Sequence, residues 1–511
     1  MKFPKLDISS WILIGLSIGL LVYTGMRASM LSMTHDESST YLNYINQALW
    51  ECFYLPVCWG TANLHLINTL LMQITVGLFG ADEFFVRMPN LIGHLIYLIS
   101  SGLLVRSISS NHWLRIACFL LLNTNPYLLE FFSLGRGYGL ACAFMMMSLY
   151  YLYKFLTNKQ ANALIWCYIG AILAILSNFT FLNYWAALTA VIGLMVIQAY
   201  LQKEFIPALS LNSPKPEGAS MSAITPTRML LISVSSAVLL LLFLYFPISY
   251  LRQLGEFEYG SNTLAETYTR LLNDSIQTEG YFGKNTLPTF RIIGLAFALP
   301  ALLTGLIAGR KKETALQQYL FSSSVLVLIF FLAIITQRYL LGTKYLVDRK
   351  AVIFIPLMGI PVVMTLQYWG RRYTKVMTGF AIVLTGFLVL HMSRTFNLTQ
   401  CQEWYYDAYT RDMLEYVSTR VKPGERVKLG GYWLFTHSSN FYIESQNLDF
   451  VGPMRYEKKV RTDRLYDYYY VEPSHGDIIH PDYVLEKRFG WVARLYRRKD
   501  VVPYDGVAQS L

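Results

Sequence analysis

Apolar runs of about 20 residues recur between residues 11 and 393, separated by short polar or basic clusters. A helix of that length crosses the hydrocarbon core of a bilayer, so the pattern predicts a polytopic α-helical membrane protein. Spans are expected over 11–26, 84–105, 113–129, 138–154, a hairpin within 161–201, and 229–251. An eighth ends before Arg310-Lys311-Lys312, a ninth near Thr336, a tenth covers 351–366 and another ends near Ser393. That makes about eleven spans in all. The apolar stretch after Asn63-Leu64-His65 is read instead as an amphipathic helix on the membrane surface.

Basic residues orient these spans. Lys2 and Lys5, Arg106 and Arg115, Lys154 and Lys159, Arg310 to Lys312, and Arg371, Arg372 and Lys375 fall on one side. The positive-inside rule makes that side cytoplasmic. The N-terminus is then inside, and residues 31–83 form the first extracytoplasmic loop. The loop 337–350 breaks the rule, with Arg338, Lys344, Arg349 and Lys350 on the outer side, and so marks either an error in the span assignment or an anionic partner. Beyond residue 393 the chain acquires the character of a water-soluble domain. A helix is expected over 403–420, a turn at Lys422-Pro423-Gly424-Glu425, and strands over 466–471 and 483–496 with a turn at Phe489-Gly490. The fold class is thus a membrane domain over 1–393 followed by a small α/β extracytoplasmic domain over 394–511.

Composition agrees. Of the 511 residues 54% are hydrophobic and 15% charged, against roughly 25% charged in soluble proteins. The net charge of +11 resides in the cytoplasmic anchors and does not indicate nucleic acid. The first run lacks a small-residue cleavage site and reads as a retained anchor. The six cysteines show no zinc spacing. Cys118, Cys142 and Cys167 lie in apolar runs as packing residues, whereas Cys52 and Cys58 share the first loop, as a disulfide or as two thiols.

The polar stretch His35-Asp36-Glu37-Ser38 follows directly on the first span. Carboxylates at that depth serve either as a helix cap or as a catalytic acid or base held above the bilayer. The same outer face collects Glu130, Arg136 and the basic loop. Sugar transfer from a lipid-linked donor needs this mixture. A carboxylate takes the proton of the attacking hydroxyl, and Arg or Lys stabilises the departing phosphate. His35 and His65 with Asp36 also have the donor types for a divalent metal, although isolated histidines more often only hydrogen-bond.

The order of these features resembles the GT-C superfamily of polyprenyl-phosphate-sugar glycosyltransferases. Within it, the likeness is to the protein O-mannosyltransferase-like branch that includes lipid A aminoarabinose transferases. An Asp-Glu pair after the first span is matched by Asp36-Glu37, and a Glu-x-x-x-Arg-x-Pro opening by Glu83, Arg87 and Pro89. An Arg-x-Tyr element is matched by Arg136 and Tyr138, and a late acidic-Arg pair followed by proline by Asp348-Arg349 and Pro356. The His-Pro-Pro of many relatives is absent, its place taken by Asn63-Leu64-His65.

The resemblance implies an inverting glycosyltransferase in a bacterial inner membrane, with its C-terminal domain in the periplasm. Asp36 would be the base with Glu37 assisting. Arg349, Lys344, Arg338, Arg136 and Arg87 would be donor-phosphate ligands, and His35, His65, Tyr138 and Glu130 supporting residues. Its partners would be a polyprenyl-phosphate-sugar and a glycan, lipid or protein acceptor. A divalent metal is an option, not a requirement. The competing class is a non-catalytic flippase of a lipid-linked intermediate, which needs intramembrane charge or an internal repeat.

Overall fold

The computed structural model describes residues 7–48, 64–201, 224–256, 258–277, 282–310, 313–461 and 463–504. Cys52 and Cys58 lie outside them. Helix α1 (Ile8–Met30) starts at Asp7, whose carboxylate accepts the Ser10 N–H at 2.9 Å and so satisfies one of the donors a helix start leaves open. Two helices follow in the first loop, α2 (His35–Tyr44) and α3 (Leu66–Phe79). The chain then forms α4 (Glu83–Ile108), α5 (His112–Asn123), α6 (Pro126–Phe132), α7 (Gly137–Asn158), α8 (Ala161–Ser177) and α9 (Leu182–Leu201). Next come α10 (Pro226–Gln253), α11 (Leu264–Ile276), α12 (Leu287–Ala308), α13 (Ala315–Leu341), α14 (Phe354–Arg372) and α15 (Thr374–Arg394).

Among the described residues, nine helices are long and apolar enough to cross a membrane: α1, α4, α7, α9, α10, α12, α13, α14 and α15. The shorter apolar helices α5 and α8 stand where the third and fifth spans were expected. The third is broken by its own sequence. The Asn125 side chain caps the Leu128 N–H at 3.1 Å, and Pro126, which has no N–H to give, restarts the chain as α6. At 14 residues α3 is too short to span. Side chains such as Leu242, Ile307 and Val383 are 70% or more exposed on the outer faces of the bundle, as in helices solvated by lipid.

The C-terminal segment adds α16 (Thr410–Ser418), β1 (Leu429–Gly430), α17 (Trp433–Ser445), β2 (Tyr468–Val471), β3 (Tyr483–Phe489) and β4 (Ala493–Arg498). The sheet order is β1-β2-β4-β3, with β1 parallel to β2 and the other pairs antiparallel. The expected turn at Gly490 joins β3 to β4, and its φ of +54° suits glycine. Helix α17 was not anticipated. Its Trp, Phe, Thr, Tyr and Ile residues read as strand formers, and it has no side-chain cap.

The apolar core of this segment extends beyond it. Met33, Tyr41, Met72 and Val86 pack in one cluster with Leu414, Phe435, Phe441 and Tyr442. The Tyr41 ring meets Phe441 edge-on at 4.9 Å. Helices α2 and α3 of the first loop are therefore clamped between the helical bundle and the C-terminal segment.

Candidate active site

Helix α2 is fixed before any chemistry begins. Thr34 and Glu37 form a capping box, with the Glu37 carboxylate accepting the Thr34 N–H at 3.0 Å. The Glu37 carboxylate also takes a bidentate pair from Arg87, both bonds at 2.8 Å, and the Gly135 N–H. Burial alone would raise the Glu37 pKa, but Arg87 outweighs it and holds the carboxyl below the ordinary range. Arg87 is saturated in turn. Its remaining donors go to the carbonyls of Ala28 at 3.0 Å, Leu31 at 2.7 Å and Ser32 at 2.8 Å, so all of its N–H groups are engaged. Both side chains are fully buried. This corrects the expectation that Arg87 meets a donor phosphate, since it has neither exposure nor a spare hydrogen.

The Glu-x-x-x-Arg spacing places Glu83 one turn before Arg87 on α4. Glu83 faces the C-terminal segment, accepting from Tyr442 Oη at 3.0 Å and from Arg411 at 2.9 Å. From that segment Asp407 reaches back, its Oδ2 accepting the His35 N–H at 2.6 Å at the start of α2.

Asp36 occupies the position these contacts define. It is 7% exposed. Its Oδ2 stands 3.3 Å from Arg136 Nη2 and 3.6 Å from Arg349 Nη2, yet receives no hydrogen bond of ordinary geometry. Burial favours the neutral acid, but the two guanidiniums outweigh it, and the pKa lies below the usual carboxylate value. Arg136 also donates to the Asp36 carbonyl at 3.3 Å and to Thr40 Oγ1 at 3.2 Å. The chain approaches closely here. A Cβ on Gly137 would run into the Ser177 carbonyl oxygen and the His65 side chain.

Arg349 is the most elaborately held group. Its Nη1 donates to Glu403 Oε2 at 3.0 Å, and its guanidinium lies over the rings of Tyr259 (5.3 Å) and Trp404 (5.5 Å). Glu403 also accepts from Tyr127 Oη. The preceding residue, Asp348, has a φ of +51°, a conformation that costs a side-chain-bearing residue energy. It bonds Tyr259 Oη and Arg270 Nη1.

Other expected site residues divide. His65 lies at the cluster, its ring edge-on to Tyr138 at 5.2 Å and its Nε2 without a hydrogen-bond partner. Burial, with Arg136 and Arg349 adding to it, keeps the imidazole neutral. His35 is engaged through Nδ1 with the Leu434 carbonyl at 3.0 Å. Glu130 lies 3.6 Å from Arg27 and accepts the Gln402 N–H at 3.1 Å. Arg338 folds onto the Gly342 carbonyl at 3.4 Å, and Lys344 is exposed near Glu266. Among the described contacts neither hydrogen-bonds nor ion-pairs with Asp36, whose cationic partners are Arg136 and Arg349.

Among the described residues no group of three His, Cys, Asp or Glu side chains is arranged to hold a metal ion, and the triad His35, Asp36 and His65 is not assembled as one. Glu403, Trp404, Tyr259, Asp407 and His437 were missed. Each comes from a distant segment with no local motif.

A cavity of about 760 Å³ opens between α11, α12, α14 and α15. Leu271, Phe290, Phe354, Met358 and Leu384 line it. Helix α11, which supplies part of the lining, also carries Arg270, outside the cavity, and Arg270 bonds to Asp348 beside Arg349.

The bundle, the clamped first loop and the C-terminal sheet layer together make a polytopic GT-C-type fold. The chain is similar throughout its length to ArnT from Cupriavidus metallidurans. Against the crystal structure of that protein bound to undecaprenyl phosphate, the TM-score is 0.50 at 13% identity, covering 96% of this chain and 98% of the other. Against its apo structure the TM-score is 0.52 at 13% identity, covering 95% and 97%. No protein-family model matches the sequence, and no curated protein matches it.

Proposed function

We propose that the protein is an inverting glycosyltransferase that moves a sugar from a polyprenyl-phosphate donor to an acceptor on the extracytoplasmic side. The observation that carries this reading is the Asp36 Oδ2, buried and ion-paired with Arg136 and Arg349 but without a hydrogen bond. The fold supports it, because a structure of this architecture, ArnT, holds undecaprenyl phosphate.

In the proposed step the acceptor hydroxyl attacks the anomeric carbon from the face opposite the phosphate. The new C–O bond forms as the bond to the phosphate oxygen breaks, and the hydroxyl proton passes to Asp36. Polyprenyl phosphate leaves with its bonding electrons, and its charge is taken up by Arg349 and Arg136. The planar guanidinium fork fits phosphate oxygens. Arg349 is steered by Glu403, Tyr259 and Trp404. The polyprenyl chain occupies the apolar cavity beside α11. Residues 1–393 bind the donor, and residues 394–511 close the acceptor side in the periplasm of a bacterial inner membrane. His65 and Tyr138 shape the wall next to Arg136, while Glu37 and Arg87 position α2.

The test is incubation of the purified full chain with labelled polyprenyl-phosphate sugars and an envelope acceptor fraction. Release of polyprenyl phosphate together with label transfer, both lost in Asp36→Asn, is expected. Equal turnover by that variant overturns the reading.

A further inference from the structure

Beside Asp36 the C-terminal segment presents rings that the donor reaction does not use. The His437 ring stands 4.6 Å from that of His35, edge to face, and Trp433 stands 5.5 Å from His35 in the same manner. Tyr456 lies 5.9 Å from His437. Trp433 is 38% exposed and Tyr456 55% exposed, although smaller aromatic side chains such as Phe435 and Phe441 on the same helix are buried. Exposed aromatic faces at the edge of a buried carboxylate are not needed for the core. They offer flat apolar surfaces bordered by imidazole nitrogens, the chemistry that receives the C–H face of a pyranose while its hydroxyls find polar partners.

The ring set is also anchored to the catalytic loop. His35 Nδ1 is bonded to the Leu434 carbonyl within α17, so the rings move with α2. Trp433 N–H donates to the Glu457 carbonyl at 2.7 Å, which fixes the segment carrying Tyr456 against the start of α17. His437 is near enough to Asp36 for each to act on the other's ionisation, and burial holds His437 at about 4, so its ring is neutral and has one nitrogen to accept and one to donate.

We infer that Trp433, His437 and Tyr456 form the acceptor subsite and that the acceptor group is a carbohydrate, its ring held on Trp433 and Tyr456 and its attacking hydroxyl directed to Asp36 by His437. This rests on the glycosyltransferase reading and specifies the substrate class on its acceptor side. Trp433 and Tyr456 are specificity residues, and His437 is a positioning residue.

The experiment is saturation-transfer NMR on the full chain in detergent. The probes are methyl glycosides of glucose, galactose, mannose and N-acetylglucosamine, and undecaprenyl phosphate binding is measured separately by thermal shift. At least one glycoside is expected to show transfer in the wild type. The signal should fall at least fivefold in Trp433→Ala and in Tyr456→Ala, while undecaprenyl phosphate still stabilises both variants. His437→Gln, which keeps a donor and an acceptor, should retain more signal than His437→Ala. If no glycoside binds, or the alanine variants bind equally, while undecaprenyl phosphate does bind, the acceptor inference is overturned alone. If undecaprenyl phosphate fails to bind the wild type, the donor reading falls instead. Both aromatic side chains are exposed, so their removal leaves the core intact, and size-exclusion profiles check the fold of each variant.

Discussion

Asp36 and Arg349 face each other across 3.6 Å, joining the loop after the first span to the loop before α14. Arg136 closes the same carboxylate from a third segment. At rest the proposed base is neutralised by the groups that are to bind the leaving phosphate. In the proposed reaction, arrival of the donor would give those arginines a second anion and free Asp36 for the acceptor.

Asp36→Asn removes the proton acceptor while keeping shape. Transfer is expected to fall by about 10²–10⁴-fold, the range of general-base catalysis. The melting temperature should fall at neutral pH, where the charged carboxylate stabilises the fold, and should approach that of the wild type as the pH is lowered, while undecaprenyl phosphate binding is retained. Turnover assays on purified protein check it.

Arg349→Lys retains charge but loses the fork and its stacking between Tyr259 and Trp404. The KM for donor should rise about 10- to 150-fold, taking a charge-assisted hydrogen bond as worth about 1.5–3 kcal/mol. Glu403→Gln should move the same parameter in the same direction by less, because it only steers Arg349.

Glu37→Ala leaves the Arg87 guanidinium buried and uncompensated. Breaking such a pair costs about 3–5 kcal/mol, so a large drop in melting temperature and in yield of folded protein is expected. A Glu37 that served only in catalysis would lower turnover with no loss of stability. Thermal unfolding distinguishes the two.

Asp274, on α11, is pushed up to about 7 by burial and by Glu403 and Asp348. Its folded pKa lies above its unfolded value, so the folded state binds the extra proton. Stability from this group is full below the ordinary aspartate value of 3.8 and is lost as pH rises through about 7. Asp274→Asn should therefore raise the melting temperature at pH 8 by several degrees and barely alter it at pH 4. The opposite sign holds for Asp36 and Glu37, whose lowered pKa values contribute stability above their unfolded values and lose it as pH falls.

Much of this architecture was legible in the sequence because hydrocarbon imposes one simple rule: a span must be long, apolar and helical. The strand turn at Gly490 and the interrupted third span also follow from local residues, the second only once Asn125-Pro126 is read as a stop and restart. The partners of Asp36 were half legible. Charge that defied the positive-inside rule pointed to Arg349, but its neighbours Arg338 and Lys344 carry the same signal and lie elsewhere. Glu130 and Arg136 are close in sequence, yet the bend at 133–136 sends them to different partners, Arg27 and Asp36. Glu403, Asp407 and His437 had no signature, because side chains that meet across hundreds of residues leave no spacing to read.

Met33 and Tyr41 bury against Phe441 and Tyr442, which are synthesised much later. The segment that carries Asp36 thus waits for α17. The membrane bundle can insert as it emerges, but α2 acquires its full packing only when α17 has been made. Chains that stop before α17 would insert and yet leave Asp36 without the packing that holds it.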